Sequence, residues 1–468
     1  MFPLAVAALI AWGALAFGAV HDWAVVPLAA GGLAVAAWQW RPRRAVTAVG
    51  GASLLVLTAI ALQLVPLGTA TLSAISPAAA QFLSSFDIGF ANGVADRHSL
   101  SIDPRLTART LGCVAVTMLW VGACASALQG GVSVRRLARN VAIVGVVLAV
   151  IGLAQKATFN GKLLWFWTPE YFAGNSFGPF VNRNHFAGWM MLALSLTLGL
   201  AAGYAARAGV GGRAGGRTTW RDRLLWLGSP AASPVLVSFA ASFVMGCALI
   251  WTMSRSGILA AGCAVTILTA AVAFRAGGGV QRALAVGYAV AMTAVVVVWR
   301  GADTLFSLYG NTGTFQWRLQ LWRDTLPALR EFWVTGAGLN TYGQLMLVHP
   351  RTDMTAQPLQ AHNDYLQLAV EGGVLVGVPV LVLAFVLIRR IVRTCRMPQD
   401  PLTWWVRMGA VAGLCGMAVQ EISEFSLQLP GVTVLFGVIL ALAMHEPAPA
   451  VMRQPSGVRR TDRAPAAA

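Results

Sequence analysis

Charge is what this chain has least of. Asp, Glu, Lys and Arg make up 11% of its 468 residues, and acidic residues number 17 against 34 basic ones. With 57% hydrophobic residues and a mean hydropathy of +0.67, an ordinary soluble core is excluded as a description of the whole. The six cysteines, Cys113, Cys124, Cys247, Cys263, Cys395 and Cys415, show no CxxC spacing, so neither a zinc site nor a disulfide framework is expected. No Walker loop, dinucleotide fingerprint or metal-ligand spacing occurs, and no cofactor or metal is expected. Ionisable residues are also missing from the middle of nearly every apolar run. Ion-coupled transport is therefore disfavoured, since it requires charged or broken segments near the membrane midplane.

What is present is one apolar run after another. A spanning helix needs roughly 20 residues to cross about 30 Å of hydrocarbon, and about twelve runs approach that length. They are Phe2 to Val20, Trp23 to Trp40, Ala45 to Val65, Thr110 to Leu128, Val141 to Ala157, His185 to Tyr204, Ala232 to Trp251, Gly257 to Phe274, Ala283 to Trp299, Leu366 to Ile388, Trp404 to Gln420 and Leu427 to Ala443. The expected fold is an all-α integral membrane protein of about twelve helices, with 1–443 a single membrane domain. The basic tail, 444–468, is rich in Pro, Arg and Ala and is expected to be cytoplasmic and disordered.

Charge orients such a bundle. Arg41, Arg43 and Arg44, then Arg135, Arg136 and Arg139, then the arginines of 207–223 and of 389–407 fall on alternate connections that hold few acids. By the positive-inside rule both termini are cytoplasmic, and the high pI of about 11.0 reports topology beside anionic membrane lipids, with no nucleic acid required. Three connections, 66–109, 156–184 and 300–365, then face the periplasm, the last being the largest and joining helices 9 and 10. Within it Phe315 to Phe332 reads as an amphipathic helix on the outer membrane surface, with a possible break at Pro327, and Gly336-Ala337-Gly338 reads as a turn. Asp103-Pro104 has the form of a helix start.

Polar residues gather where these connections meet the apolar runs. His362-Asn363-Asp364-Tyr365 runs directly into the run beginning at Leu366. Imidazole titrates near pH ~6.5 and is the natural acid/base group of the set, and Asn363 and Asp364 stand where they could fix its orientation. His185, in Asn182-Arg183-Asn184-His185, is a weaker second candidate. Arg255 lies in a tight turn between two spans and Arg318 on the amphipathic stretch; with Arg183 they offer guanidinium forks suited to a pyrophosphate. Glu371 sits one and a half turns into the span that begins at Leu366 and Glu424 at an outer helix end, both able to meet a sugar hydroxyl or to pair with arginine. Gly372, Gly373 and Gly377 read as helix-packing glycines.

His362-Asn363 followed after nine residues by Gly373 resembles the signature of the O-antigen ligase and polymerase superfamily of multispanning bacterial glycosyltransferases. Val376 stands where that signature has its second glycine, and Gly377 comes one residue late. Ser254-Arg255-Ser256-Gly257, the pair Arg318 and Trp322 with Gly336-Ala337-Gly338, and Asn182-Arg183-Asn184-His185 resemble further motifs of the superfamily. The resemblance implies metal-independent, inverting glycan transfer from undecaprenyl pyrophosphate to an acceptor hydroxyl on the periplasmic face of the inner membrane, the acceptor being a glycan, lipid A core or another hydroxyl compound. His362 would be the base, Arg255 and Arg318 the catalytic cations, and Arg183, Asn184, His185, Asn363, Asp364, Tyr365 and Glu424 the surrounding substrate-binding set. Two other readings remain open: a permease for a small anion such as bicarbonate, and a non-catalytic member of a polysaccharide-export complex.

Overall fold

The structure is a computed structural model describing residues 1–39, 47–128, 131–168, 175–208, 220–275, 313–349, 352 and 357–446. The expected span Ala283 to Trp299, most of the Arg/Gly-rich segment before residue 220, and the tail after Glu446 lie outside the described residues.

Three apolar helices, α1 (Phe2–Leu15), α2 (Asp22–Trp38) and α3 (Ala48–Leu62), lead into three short ones, α4 (Thr69–Ile75), α5 (Pro77–Phe86) and α6 (Ile88–Ala91). A two-residue antiparallel pair, β1 (Leu67–Gly68) with β2 (Arg97–His98), closes that short-helix segment in the register Leu67 to His98 and Gly68 to Arg97. Next come α7 (Pro104–Ala127), α8 (Gly131–Ala157), α9 (Arg183–Arg207), α10 (Trp220–Leu227), α11 (Ser233–Trp251) and α12 (Arg255–Arg275). Then α13 (Gly313–Glu331) and α14 (Tyr342–Val348) precede α15 (Asp364–Arg396), α16 (Pro401–Gln420) and α17 (Pro430–Ala443). Among the described residues seven helices are long and apolar enough to cross a bilayer, and α1, α2, α3 and α17 are shorter apolar helices of 14, 17, 15 and 14 residues. The chain is therefore a helical membrane protein.

Local chemistry sets several starts. Asp103 caps α7 by accepting from the backbone N–H groups of Arg105 and Leu106, with Pro104 in the first turn, as Asp103-Pro104 led one to expect. Thr47 caps α3 and Asp400 caps α16 in the same way.

The bundle is organised around α9, which is buried on nearly every side and packs against α8, α11, α12 and α16. It crosses α16 at glycines: a Cβ on Gly199 would stand 2.5 Å from the Trp405 carbonyl, and one on Gly409 would stand 2.6 Å from the Ser195 carbonyl. Without hydrophobic force between helices in lipid, such close backbone approach supplies the packing energy.

A second hydrophobic cluster caps one end. Leu72, Ala79 and Leu83 from the short helices meet Leu321, Ala328 and Phe332 of α13 and Tyr342, Leu345 and Met346 of α14. Helix α13 runs unbroken through Pro327, and its apolar face enters this cap cluster. An apolar stripe read from spacing alone does not distinguish lipid from a covering protein layer, and here the segment 66–103 supplies the cover.

The cap is hooked onto α15 at a break. Gly373 adopts φ 56 and ψ −161 inside the helix, which frees backbone groups on both sides. Ala337 and Gly338 donate to the carbonyls of Val370 and Glu371, while Val374 and Leu375 donate to those of Trp333 and Val334. A Cβ on Gly373 would lie 2.5 Å from the Gly336 nitrogen, and one on Gly336, at φ +70, would lie 2.0 Å from the Glu371 carbonyl oxygen. The Gly336-Ala337-Gly338 turn and the glycine of α15 are thus one joint, a use that helix-packing spacing did not reveal. Gly377 has open space around it and plays no such part.

Candidate functional site

At the cap end four separated segments converge on Glu424, in the turn between α16 and α17. Its side chain is 1% exposed. Oε1 accepts from Arg318 Nη2 at 2.7 Å, from Asn184 Nδ2 at 2.7 Å and from the Ser256 hydroxyl at 3.3 Å. Arg318 also donates through Nη1 to the Ser423 carbonyl at 2.5 Å, which closes a two-pronged grip on the turn. The Arg318 side chain is 13% exposed, and its Nε is buried without a hydrogen-bond partner among the described residues.

His362 stands over the same carboxylate. Its Nδ1 is 3.9 Å from Glu424 Oε2, an electrostatic contact that is too long for a hydrogen bond. The ring is 24% exposed and meets Trp317 and Phe425 edge-on, at centroid distances of 5.7 and 4.9 Å. Its backbone is left-handed, φ 49, a conformation that costs a non-glycine residue about 1–3 kcal/mol and persists only where the surroundings over-determine it. Trp322 of α13 supplies part of that constraint by donating to the Ala361 carbonyl at 2.9 Å, and the Gln367 side chain accepts from the Ala361 N–H at 3.0 Å.

Arg255 opens α12 directly after a turn in which Met253 takes φ 54 and the Ser254 hydroxyl accepts from the Gly257 N–H. Its neighbour Ser256 reaches Glu424, and Arg183, at the start of α9, lies within electrostatic reach of both Arg255 and Glu424. His185 also packs its ring against Phe425 at 4.7 Å and is buried, with Nε2 unpartnered among the described residues. Arg318, Arg183 and two imidazoles thus surround one deep carboxylate, with Arg255 beside Arg183, an arrangement that suits a multiply charged anion. Burial alone would raise the Glu424 carboxyl, but His362, then Arg318 and His185, outweigh it and hold the group below the usual glutamate range.

The remaining residues of the expected set take other places. Asn363 is the N-cap of α15, its side-chain oxygen accepting from the Leu366 N–H. Asp364 accepts from Gln428 at 2.6 Å, and the Tyr365 hydroxyl donates to the Ala418 carbonyl at 2.7 Å, so both face α16 and the turn after it. Glu371 neither meets an arginine nor faces the cluster: it is buried and accepts from the backbone N–H groups of Asn340 and Tyr342, seating the start of α14. Sequence reasoning passed over Ser256, Trp317, Phe425 and Glu421. For the first and last a signal existed, since Ser256 adjoins Arg255 and Glu421 stands three residues before Glu424 at the same helix end.

Residues 240–381 match a protein-family model described as O-antigen ligase. That range holds Arg255, Arg318, His362 and the α15 break. No curated protein matches the chain.

Proposed function

We propose that the chain, whose residues 240–381 match a family model described as O-antigen ligase, is a member of the O-antigen ligase and polymerase superfamily and transfers a glycan from undecaprenyl pyrophosphate to an acceptor hydroxyl at the cap end of the bundle. The observation that carries this reading is the convergence of His362, Arg318, Ser256 and Arg183 on Glu424 from four segments distant in the chain, with Arg255 next to Ser256 and within electrostatic reach of Arg183.

The chemistry follows from those groups. The acceptor oxygen attacks the anomeric carbon as the carbon–oxygen bond to pyrophosphate breaks, its proton passes to His362, and undecaprenyl pyrophosphate leaves. One such displacement inverts the anomeric centre. His362 becomes an imidazolium beside the Glu424 carboxylate, which stabilises the charge it acquires. The guanidinium groups of Arg255, Arg318 and Arg183 face the negative charge growing on pyrophosphate and are placed before the reaction starts. No metal is assigned a part in this scheme. The inner membrane, the periplasmic face and cytoplasmic termini belong to the same proposal. Among acceptors, lipid A core, a growing glycan chain and other hydroxyl compounds fit this chemistry equally.

His362→Ala tests the reading. Cells carrying the variant are expected to insert it normally and to lack the glycan-bearing product that mass spectrometry detects with the wild-type chain. Undiminished product from His362→Ala would falsify the assignment.

A further inference from the structure

Next to the charge cluster lies a second acidic contact that the transfer scheme does not use. Glu421 ends α16, is 2% exposed, and accepts from the Ser426 N–H through Oε2 at 2.8 Å. Its Oε1 is buried and meets no donor among the described residues. The Asp364 N–H donates to the Glu421 carbonyl at 3.1 Å, Gln428 donates to Asp364 Oδ1 at 2.6 Å, and the Asp364 and Glu421 carboxyl groups lie within interaction range of each other. Two carboxyl oxygens can share a hydrogen bond only when one of the groups keeps its proton.

We propose that Asp364 and Glu421 form a one-proton tie that fixes the separation of His362 and Glu424, which makes Glu421 a positioning residue for the transfer reaction. The inference rests on the transfer reading for its role, and on the Asp364–Glu421 backbone contact and the buried, donorless Glu421 Oε1 for its place. His362 stands two residues before Asp364, and Glu424 three residues after Glu421, so the tie joins the two short segments that carry the proposed base and its carboxylate. The left-handed backbone of His362 supports this independently. Ala361 on one flank is held by Trp322 and Gln367, and Asp364 on the other is held by Glu421 and Gln428. The strained residue is pinned from both sides.

The groups facing Glu421 are Asp364 and Tyr365 from α15 and Glu424 from its own turn. Burial first, and then the Asp364 charge, push the Glu421 carboxyl upward, the direction a retained proton requires. Because the folded state holds this proton more tightly than the unfolded chain, the contribution to stability is complete at acid pH. It declines as pH rises from the ordinary glutamate range toward the folded value. Ionising the pair would set two carboxylates against each other and loosen the His362 segment.

The test uses the purified full chain as wild type, Glu421→Gln and Glu421→Ala. The infrared difference between wild type and Glu421→Gln, whose amide supplies the same donor without titrating, is expected to contain a protonated-carboxyl band. Glu421→Gln should also melt progressively higher than wild type as pH is raised. In permeabilised membranes Glu421→Gln is expected to form glycan product near the wild-type level and to persist at alkaline pH where the wild type declines. Glu421→Ala should lose about tenfold or more. The positioning role is overturned if Glu421→Gln is as impaired as Glu421→Ala, or if Glu421→Ala is unimpaired. No such difference band, with wild-type product intact, overturns the tie alone. A wild-type chain that forms no product overturns the transfer reading and the positioning role with it.

Discussion

Glu424 is a carboxylate with almost no water, and the hydrogen bonds from Arg318, Asn184 and Ser256 stand in for hydration. Glu424→Gln would leave Arg318 facing a neutral amide. Removing one member of a buried pair costs about 3–5 kcal/mol, and the lower end applies here because Arg318 keeps some contact with water. The carboxyl is held low in the folded state, so its contribution is present at neutral pH and fades as pH falls below the normal glutamate range. Thermal unfolding of wild type and Glu424→Gln should therefore differ at pH 7 and converge in acid. Equal melting at both would show the pair to be energetically idle. Arg318→Lys retains charge but cannot grip Ser423 and Glu424 through two nitrogens of one fork, and product should fall by about tenfold or more.

Among the helices, α15 carries the most distinctive local design. Gly373→Ala puts a methyl group against the backbone of residues 334 and 336 at an unfavourable φ, and neither obstacle can rotate away. The joint should open, with a loss of at least about 3 kcal/mol and of most product. Gly377→Ala, four residues on and in open space, should be neutral or stabilising by up to about 1 kcal/mol. Comparing the melting temperatures of the two variants checks the joint directly, since helix-packing glycines would both be harmed. Trp322→Phe removes one hydrogen bond to Ala361 and should cost about 1 kcal/mol while disturbing activity more than stability, because that bond holds the His362 segment.

At the scale of the molecule, two hydrophobic clusters divide the labour: the bundle around α9 meets the membrane, and the cap over α13 and α14 presents the polar site. Function then depends on which way the bundle faces. With cytoplasmic termini, a membrane-impermeant thiol reagent should label Asn92→Cys at the cap end in intact cells. Met397→Cys at the opposite end should react only after lysis, both in a background lacking the six native cysteines. Labelling in the reverse pattern would turn the proposed reaction toward the cytoplasm.

Apolar periodicity and length determined, without any structure, that the chain is a helical membrane protein and roughly where its helices run. His362, Arg255 and Arg318 stood out because titratable groups are costly near lipid and rare here. Tertiary structure alone decided that Glu424 is the common partner of His362 and Arg318, that Glu371 supports a loop, and that Gly373 breaks a helix to receive Gly336. The physical reason is separation along the chain. Hydrophobic pattern and capping act within a few residues, whereas the contacts from Arg318 and Asn184 to Glu424 span 106 and 240 positions, and no local preference encodes them.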